Sequence, residues 1–197
     1  DTISAGSLCA FAMEASEMGR INEKISWGEV DKIAQLLHDI TSKNGIGAIL
    51  AEGIRYAAKA WDMEDIAIHV KGLDPAGYDP RVLKGMGLAN AISDRGACHL
   101  RSTFYKAELS GMIPSDQMEG KAKLFLEFED RFNIHDSLIL CRFYRDIYWD
   151  WNYLSTIVEL TTGLKLDENG LRKISSTIQN ETRKFNFREG ITAKDDT

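Results

Sequence analysis

A mainly α-helical chain in two lobes is what this sequence predicts, and three observations predict it. Apolar residues recur at helical spacing, most plainly Val30, Ile33, Leu36, Leu37 and Ile40, and again Leu124, Phe125, Phe128 and Phe132. Helix-start chemistry precedes such stretches: Ser26 with Glu29, Asp79 with Pro80, Asp116 with Glu119, and Asp167. Only one segment alternates as a strand does, Ile66, Ile68 and Val70 against Ala67, His69 and Lys71, so β structure is at most a minor element. Between these elements, the run from Gly72 to Pro80 holds two glycines and two of the three prolines. It reads as a linker, which divides the chain into helical lobes 1–72 and 73–197.

Composition bounds the function. At 197 residues, 44% of them hydrophobic, the chain can bury one good core or two small ones. The net charge of -6, with no long block of Lys or Arg, argues against a nucleic-acid partner. No apolar run approaches the ~18 residues of a membrane span, and no basic segment leads an apolar one. A soluble, cytoplasmic protein with no membrane partner is therefore expected. Cys9, Cys98 and Cys141 are odd in number and widely spaced, which suits a reducing compartment. With no C-x-x-C, the chain cannot supply a complete zinc or iron–sulfur site alone. The abrupt start at Asp1 and the stop after Lys194-Asp195-Asp196-Thr197 read as an excised piece of a longer protein.

In chain order, Asp1 to Gly19 reads as a loop entering a helix. Ser4, Ala5, Gly6 and Ala10 suit close packing, and Gly19 is a stop signal. Ser26-Trp27-Gly28-Glu29 is a capping box for a second helix that ends at Asn44-Gly45. A third helix is expected from Ala48 to Ala60. After the strand signal and the linker, Asp79 and Pro80 open a helix carrying Gly85, Gly87, Ala89 and Ala91, again a close-packing pattern. Asp116 and Glu119 start an amphipathic helix that ends near Asn133, with Lys123, Glu127, Glu129 and Asp130 as its solvated face. A further helix is then expected to open at Asp136 and turn Cys141 inward. Tyr144, Tyr148, Trp149, Trp151 and Tyr153 crowd the region after it, as core or interface. Leu154 to Thr162 is a short helix, and Asp167 caps the last one, with Leu171, Ile174 and Ile178 inward.

Two segments carry chemistry. His135-Asp136-Ser137-Leu138-Ile139-Leu140-Cys141-Arg142-Phe143 sets an acid, a cysteine and an arginine among apolar residues. Arg95-Gly96-Ala97-Cys98-His99 places a histidine, a group that titrates near neutrality, in a loop after a small-residue helix. On the residues alone these are a capped core helix and a loop histidine bonded to nearby backbone.

Both segments resemble the tungsten-dependent aldehyde ferredoxin oxidoreductases. The first resembles that family's D-x-x-G-L-C segment, with Ile139 where the family has glycine; the second resembles its R-G-A-C-H segment. Asp1-Thr2 resembles the end of the family's other pterin motif, Leu50-Ala51-Glu52-Gly53 a structural consensus, and Phe185-Asn186-Phe187-Arg188-Glu189-Gly190 the F-N-x-R-E-G signature. The resemblance spans nearly the whole chain and implies the family's two helical domains, with its β-rich N-terminal domain and C-x-x-C-x-x-x-C motif lying outside.

It also implies an oxidoreductase that converts small aldehydes to carboxylic acids. Electrons would pass from a tungsten (or molybdenum) bis-pterin through a [4Fe–4S] cluster to ferredoxin. The roles implied are Cys141 as cluster ligand, Asp136, Leu140, Arg142, Asp1 and Thr2 at the pterins, and His99 beside the metal and substrate. His38 is a weak counterpart of a histidine that holds a metal between subunits in dimeric members, so a homodimer is admitted. The isolated chain would carry neither cofactor and be inactive alone. Two other classes stay open: a non-catalytic helical interaction module, and a relative acting on another acid or a thioester, such as a benzoyl-coenzyme A reductase subunit.

Overall fold

Asp1 opens the first helix: its carboxylate accepts the amide of Ile3 at 2.8 Å, satisfying one of the free N–H groups of a helix start. The computed structural model describes residues 1–196, and among these nine α-helices carry the fold. They are α1 (Thr2–Glu17), α2 (Val30–Ser42), α3 (Ile46–Leu50), α4 (Ile54–Trp61), α5 (Lys84–Ile92), α6 (Tyr105–Leu109), α7 (Lys121–Ser137), α8 (Trp151–Thr162) and α9 (Glu168–Arg188). The expected mainly α class is what is found. The chain forms two compact units, Asp1–Ala76 with Arg95–Ala97, and Gly77–Asp94 with Cys98–Asp196.

In the first unit, α1 is already helical from Thr2, where a loop entering the helix was expected. It buries Leu8, Phe11, Ala12, Met13 and Ala15 among Leu36, Leu50, Ile54, Ala57 and Trp61, with Phe11 stacked on Trp61 at 5.6 Å. Gly19 ends it at φ 67°, where its own amide reaches Ser16 O and that of Arg20 reaches Ala15 O, a Schellman closure. The capping box at Ser26 is only half formed. Glu29 reaches back to the amide of Ser26 at 2.6 Å, but α2 begins at Val30 without a side-chain cap. The single helix expected from Ala48 to Ala60 is two, α3 and α4, because the chain turns at Gly53 with φ 91°.

The strand signal at 66–70 gives no strand. Ile66 ends a 3-10 turn, Ile68 is 71% exposed, and Val70 makes a single bridge to Leu73. Alternation alone is insufficient, since a strand needs a neighbour to take its N–H and C=O groups, and none lies beside it among the described residues. Gly96 belongs to this unit and packs against that bridge: a Cβ there would lie 2.4 Å from the carbonyl oxygen of Val70.

In the second unit, Asp79 accepts the amide of Arg81 and pairs with its guanidinium, forming a turn; α5 starts only at Lys84. The small residues of α5 pack as expected, and a Cβ on Gly85 would meet the Phe104 ring at 2.3 Å. Beneath it Glu108 accepts Gly85 N–H at 2.8 Å and Lys121 Nζ at 2.5 Å, both charges buried, while Lys121 also donates to the carbonyls of Pro114 and Ser115.

Three expectations for α7 are corrected. It starts at Lys121 after Gly120, not at the Asp116–Glu119 pair, which lies in the preceding turns. It does not stop near Asn133: that side chain is buried and bonds Ser175 at 2.8 Å and Gln179 at 3.1 Å on α9, so it anchors the helix interior. The run therefore continues past Asp136 to Ser137. Its charges are not a simple solvated face, because Arg172 of α9 pairs with Glu127 at 2.6 Å and Asp130 at 2.9 Å. Asp150 and Asp167 cap α8 and α9 through their carboxylates.

Candidate functional site

The end of α7 builds the site. Leu140 N–H bonds His135 O at 2.9 Å and Ile139 N–H bonds Asp136 O at 3.0 Å, the two reversed bonds of a Schellman closure. Ile139 occupies the left-handed position at φ 57° and is 92% exposed. Only residues without a branched Cβ take that conformation cheaply, so glycine is the natural occupant here. Asp136 thus lies in the last helical turn rather than starting a helix, and Cys141 is an exposed free thiol in the loop that follows, not an inward one.

Asp136 is held from two sides. One carboxylate oxygen lies 2.6 Å from Arg142 and the other 3.0 Å from Arg101, whose Nε in turn binds Asp94 at 3.0 Å. Arg142 lies over the Phe132 ring, 4.2 Å from its centroid, and its Nη1 is buried with no acceptor. Burial pushes that guanidinium below its ordinary range, against the pull of Asp136. Leu140 is half-buried and packs against the cluster of Ile134, Trp151, Leu154, Val158 and Leu171. His135, 1% exposed, donates Nε2–H to the carbonyl of Tyr148 at 2.9 Å, since that oxygen can only accept, and burial holds its pKa down.

His99 stands two residues before Arg101, half-buried, with its ring 5.7 Å from that of Tyr78. Tyr78 is stacked on Tyr105 at 4.0 Å, and burial followed by a hydrogen bond to Tyr78 raises the Tyr105 phenol. His99 and the Asp136 turn are therefore linked through one short loop and one arginine. Asp1 and Thr2 lie in the other unit, exposed at the start of α1. His38 is exposed on α2. No group of three or more His, Cys, Asp or Glu among the described residues is arranged to hold a metal ion.

Sequence reasoning gave no role to Arg101 and Asp94, which flank the histidine motif, or to Asn186, whose amide bonds the carbonyl of Asp94. The only available signal was position. Arg101 follows the histidine motif, and Asn186 lies inside the Phe185–Gly190 signature.

Similarity to known proteins extends over all of these elements. The family described as aldehyde ferredoxin oxidoreductase, domains 2 & 3, matches residues 1–197. The tungsten-containing aldehyde ferredoxin oxidoreductase of Pyrococcus furiosus is 31% identical over 218 residues, covering 100% of this chain and 34% of that protein. The corresponding protein of Thermococcus kodakarensis is 29% identical with the same coverage. An aliphatic sulfonate oxidoreductase, WOR-like subunit, of Pyrococcus furiosus is 38% identical over 84 residues, covering 37% of this chain and 14% of that protein. The chain thus spans about a third of the length of the relatives that it matches throughout.

Proposed function

The chain belongs to the aldehyde ferredoxin oxidoreductase family, matching its domains 2 and 3, and from that premise we propose that it forms the C-terminal part of an aldehyde-oxidising enzyme. When bound, a tungsten bis-pterin supplies the oxidation of aldehyde and water to carboxylic acid, and a [4Fe–4S] cluster carries the electrons to ferredoxin. The observation that carries the reading is the Asp136 turn. There a carboxylate fixed between two arginines, a buried guanidinium N–H without an acceptor and an exposed thiol stand within seven residues.

These residues fit their roles. Asp136 keeps lone pairs free to accept from a pterin amine, and the unpartnered Nη1 of Arg142 suits an oxygen acceptor on the same ring system. Leu140 fixes the turn by its packing, while Asp1 and Thr2 would serve the second pterin from the start of α1. Cys141 fits as one cluster ligand. Each iron of such a cluster takes its own ligand, so the others belong to another segment. His99 would exchange a proton with the carbonyl or carboxylate oxygen of the substrate, with the Tyr78 ring 5.7 Å from its own. In this reading 1–72 and 73–197 are parts of the family's two helical domains, and ferredoxin and a homodimer mate are the protein partners.

The test is made in the protein carrying this chain. Asp136→Asn should lose tungsten and pterin in preference to iron. Removing a charge-assisted bond of about 1.5–3 kcal/mol corresponds to roughly ten- to hundredfold weaker retention. Cys141→Ser should lose iron first. His99→Gln should keep both metals and lower turnover by about 10²–10⁴. Tungsten retained in full by Asp136→Asn, or iron by Cys141→Ser, would remove that residue from the site.

A further inference from the structure

The second unit has a pocket of about 350 Å³ to which none of Asp136, Cys141 or His99 contributes. Phe128, Phe132, Trp149 and Met112 give it an apolar wall, and Lys106 and Arg145 stand at its polar side. The wall is firm: Trp149 packs edge-on to Phe128 at 4.8 Å and to Phe132 at 5.9 Å, with the Arg131 guanidinium 4.7 Å from its centroid. The volume is at the lower end of the range of small-molecule sites, about 300–1,000 Å³.

The charge balance of this pocket is unusual. In the second unit every other half-buried arginine has a carboxylate within about 3 Å: Arg101, Arg131, Arg142, Arg172 and Arg183. Arg145 is half-buried and has no carboxylate partner among the described residues. Its Nη1 donates to the carbonyl of Arg142 at 2.9 Å, whereas its Nε is buried with no acceptor. A guanidinium that lines a pocket with no carboxylate beside it can take an anion through charge-assisted bonds. Lys106 does not compete for an anion, because it is already paired with Asp146, also on the lining. One positive charge is therefore left uncompensated beside an aromatic wall. A bound anion would compensate that charge.

We propose that this pocket binds a small monocarboxylic acid with a flat apolar body, its carboxylate on the guanidinium of Arg145 and its body against Phe128, Phe132 and Trp149. A single uncompensated charge selects a monoanion over a phosphate dianion, and the apolar wall selects a ring or branched chain over acetate. The inference does not depend on the redox reading, since neither cofactor nor the residues assigned to it take part.

The test is titration calorimetry of the full-length protein at pH 7 with benzoate, benzyl alcohol and acetate as probes. Benzoate should bind saturably at one site per chain, with benzyl alcohol and acetate each at least tenfold weaker. Arg145→Met should weaken benzoate at least tenfold while leaving benzyl alcohol nearly unchanged. Met112→Trp, which fills the pocket from its exposed rim, should weaken both and keeps the test decisive if the arginine variant folds poorly. Benzoate binding that survives both substitutions lies elsewhere and overturns the proposal. So does the absence of saturable binding, or equal affinity for acid and alcohol.

Discussion

The side-chain amide of Asn186 donates to the main-chain carbonyl of Asp94 at 2.7 Å, joining residues 92 apart in sequence. From there the connections run on through the Asp94 carboxylate to Arg101, and through Arg101 to Asp136. The C-terminal signature thus acts on the candidate site at a distance, by holding the turn that holds the arginine. Asn186→Ala should cost about 1–2 kcal/mol, since a partly buried carbonyl loses its donor. In a chain of this length the midpoint of thermal unfolding would fall by roughly 2–4 °C for each kcal/mol. A midpoint unchanged within a degree would show that the bond contributes nothing.

Ile139 is the cleanest place to gain stability. A branched side chain at φ 57° carries the left-handed penalty of about 1–2 kcal/mol, and at 92% exposure it buries almost nothing in return. Ile139→Gly removes the penalty but adds the chain entropy of glycine, about 0.5–1 kcal/mol. Urea unfolding should show a net gain of up to about 1.5 kcal/mol. A loss would mean that the isoleucine side chain makes a contact outside this chain.

Glu129 gives a pH signature. Burial, then the charges of Asp130 and Asp94, raise its carboxyl from the ordinary 4.5 to about 7. The folded state therefore binds a proton that the unfolded state releases earlier. That contribution is fully present below pH 4.5 and is lost as the pH rises to about 7. Glu129→Gln should accordingly stabilise the protein at pH 8, on the order of 1–3 kcal/mol, and change little at pH 4. Unfolding curves at the two values decide it; equal effects at both would assign the change to packing.

The buried pair of Lys121 and Glu108 should tolerate joint replacement better than single replacement. Lys121→Met leaves the Glu108 carboxylate buried without its cation and should cost about 3–5 kcal/mol. Adding Glu108→Gln, which keeps an acceptor for Gly85 N–H, should return a good part of that. If the second change makes matters worse, the carboxylate is held by other donors.

Local chemistry was legible at some helix ends, although the start signals at Ser26, Asp79 and Asp116 did not open helices where expected. Gly19 stops α1, Asp167 starts α9, and Leu171 faces inward, each as its sequence context implies. Other misreadings came where a distant partner overrode the local signal. Asn133 resembles a helix terminator, yet Ser175 and Gln179 receive it inside the fold, and that carries α7 on through Asp136. Residues 66–70 have a strand's alternation but no neighbour to pair with. The motif around Asp136 was visible through resemblance alone, and its arginine from 35 positions earlier was not, since no periodicity links a loop to the end of another helix.

Gly96 sits against the Val70 carbonyl as a member of the first unit, although the chain on either side of Arg95–Ala97 belongs to the second. That arrangement sets an order of events during synthesis. The first unit is complete only once Arg95–Ala97 has joined it, about twenty residues after Ala76 has emerged, a delay of about one to four seconds at ordinary elongation rates. Until then the edge formed by Val70 and Leu73 stands bare, a surface for chaperones to attend. A side chain at position 96 would crowd that carbonyl and strain a backbone at φ 107°, and so should hinder this late docking.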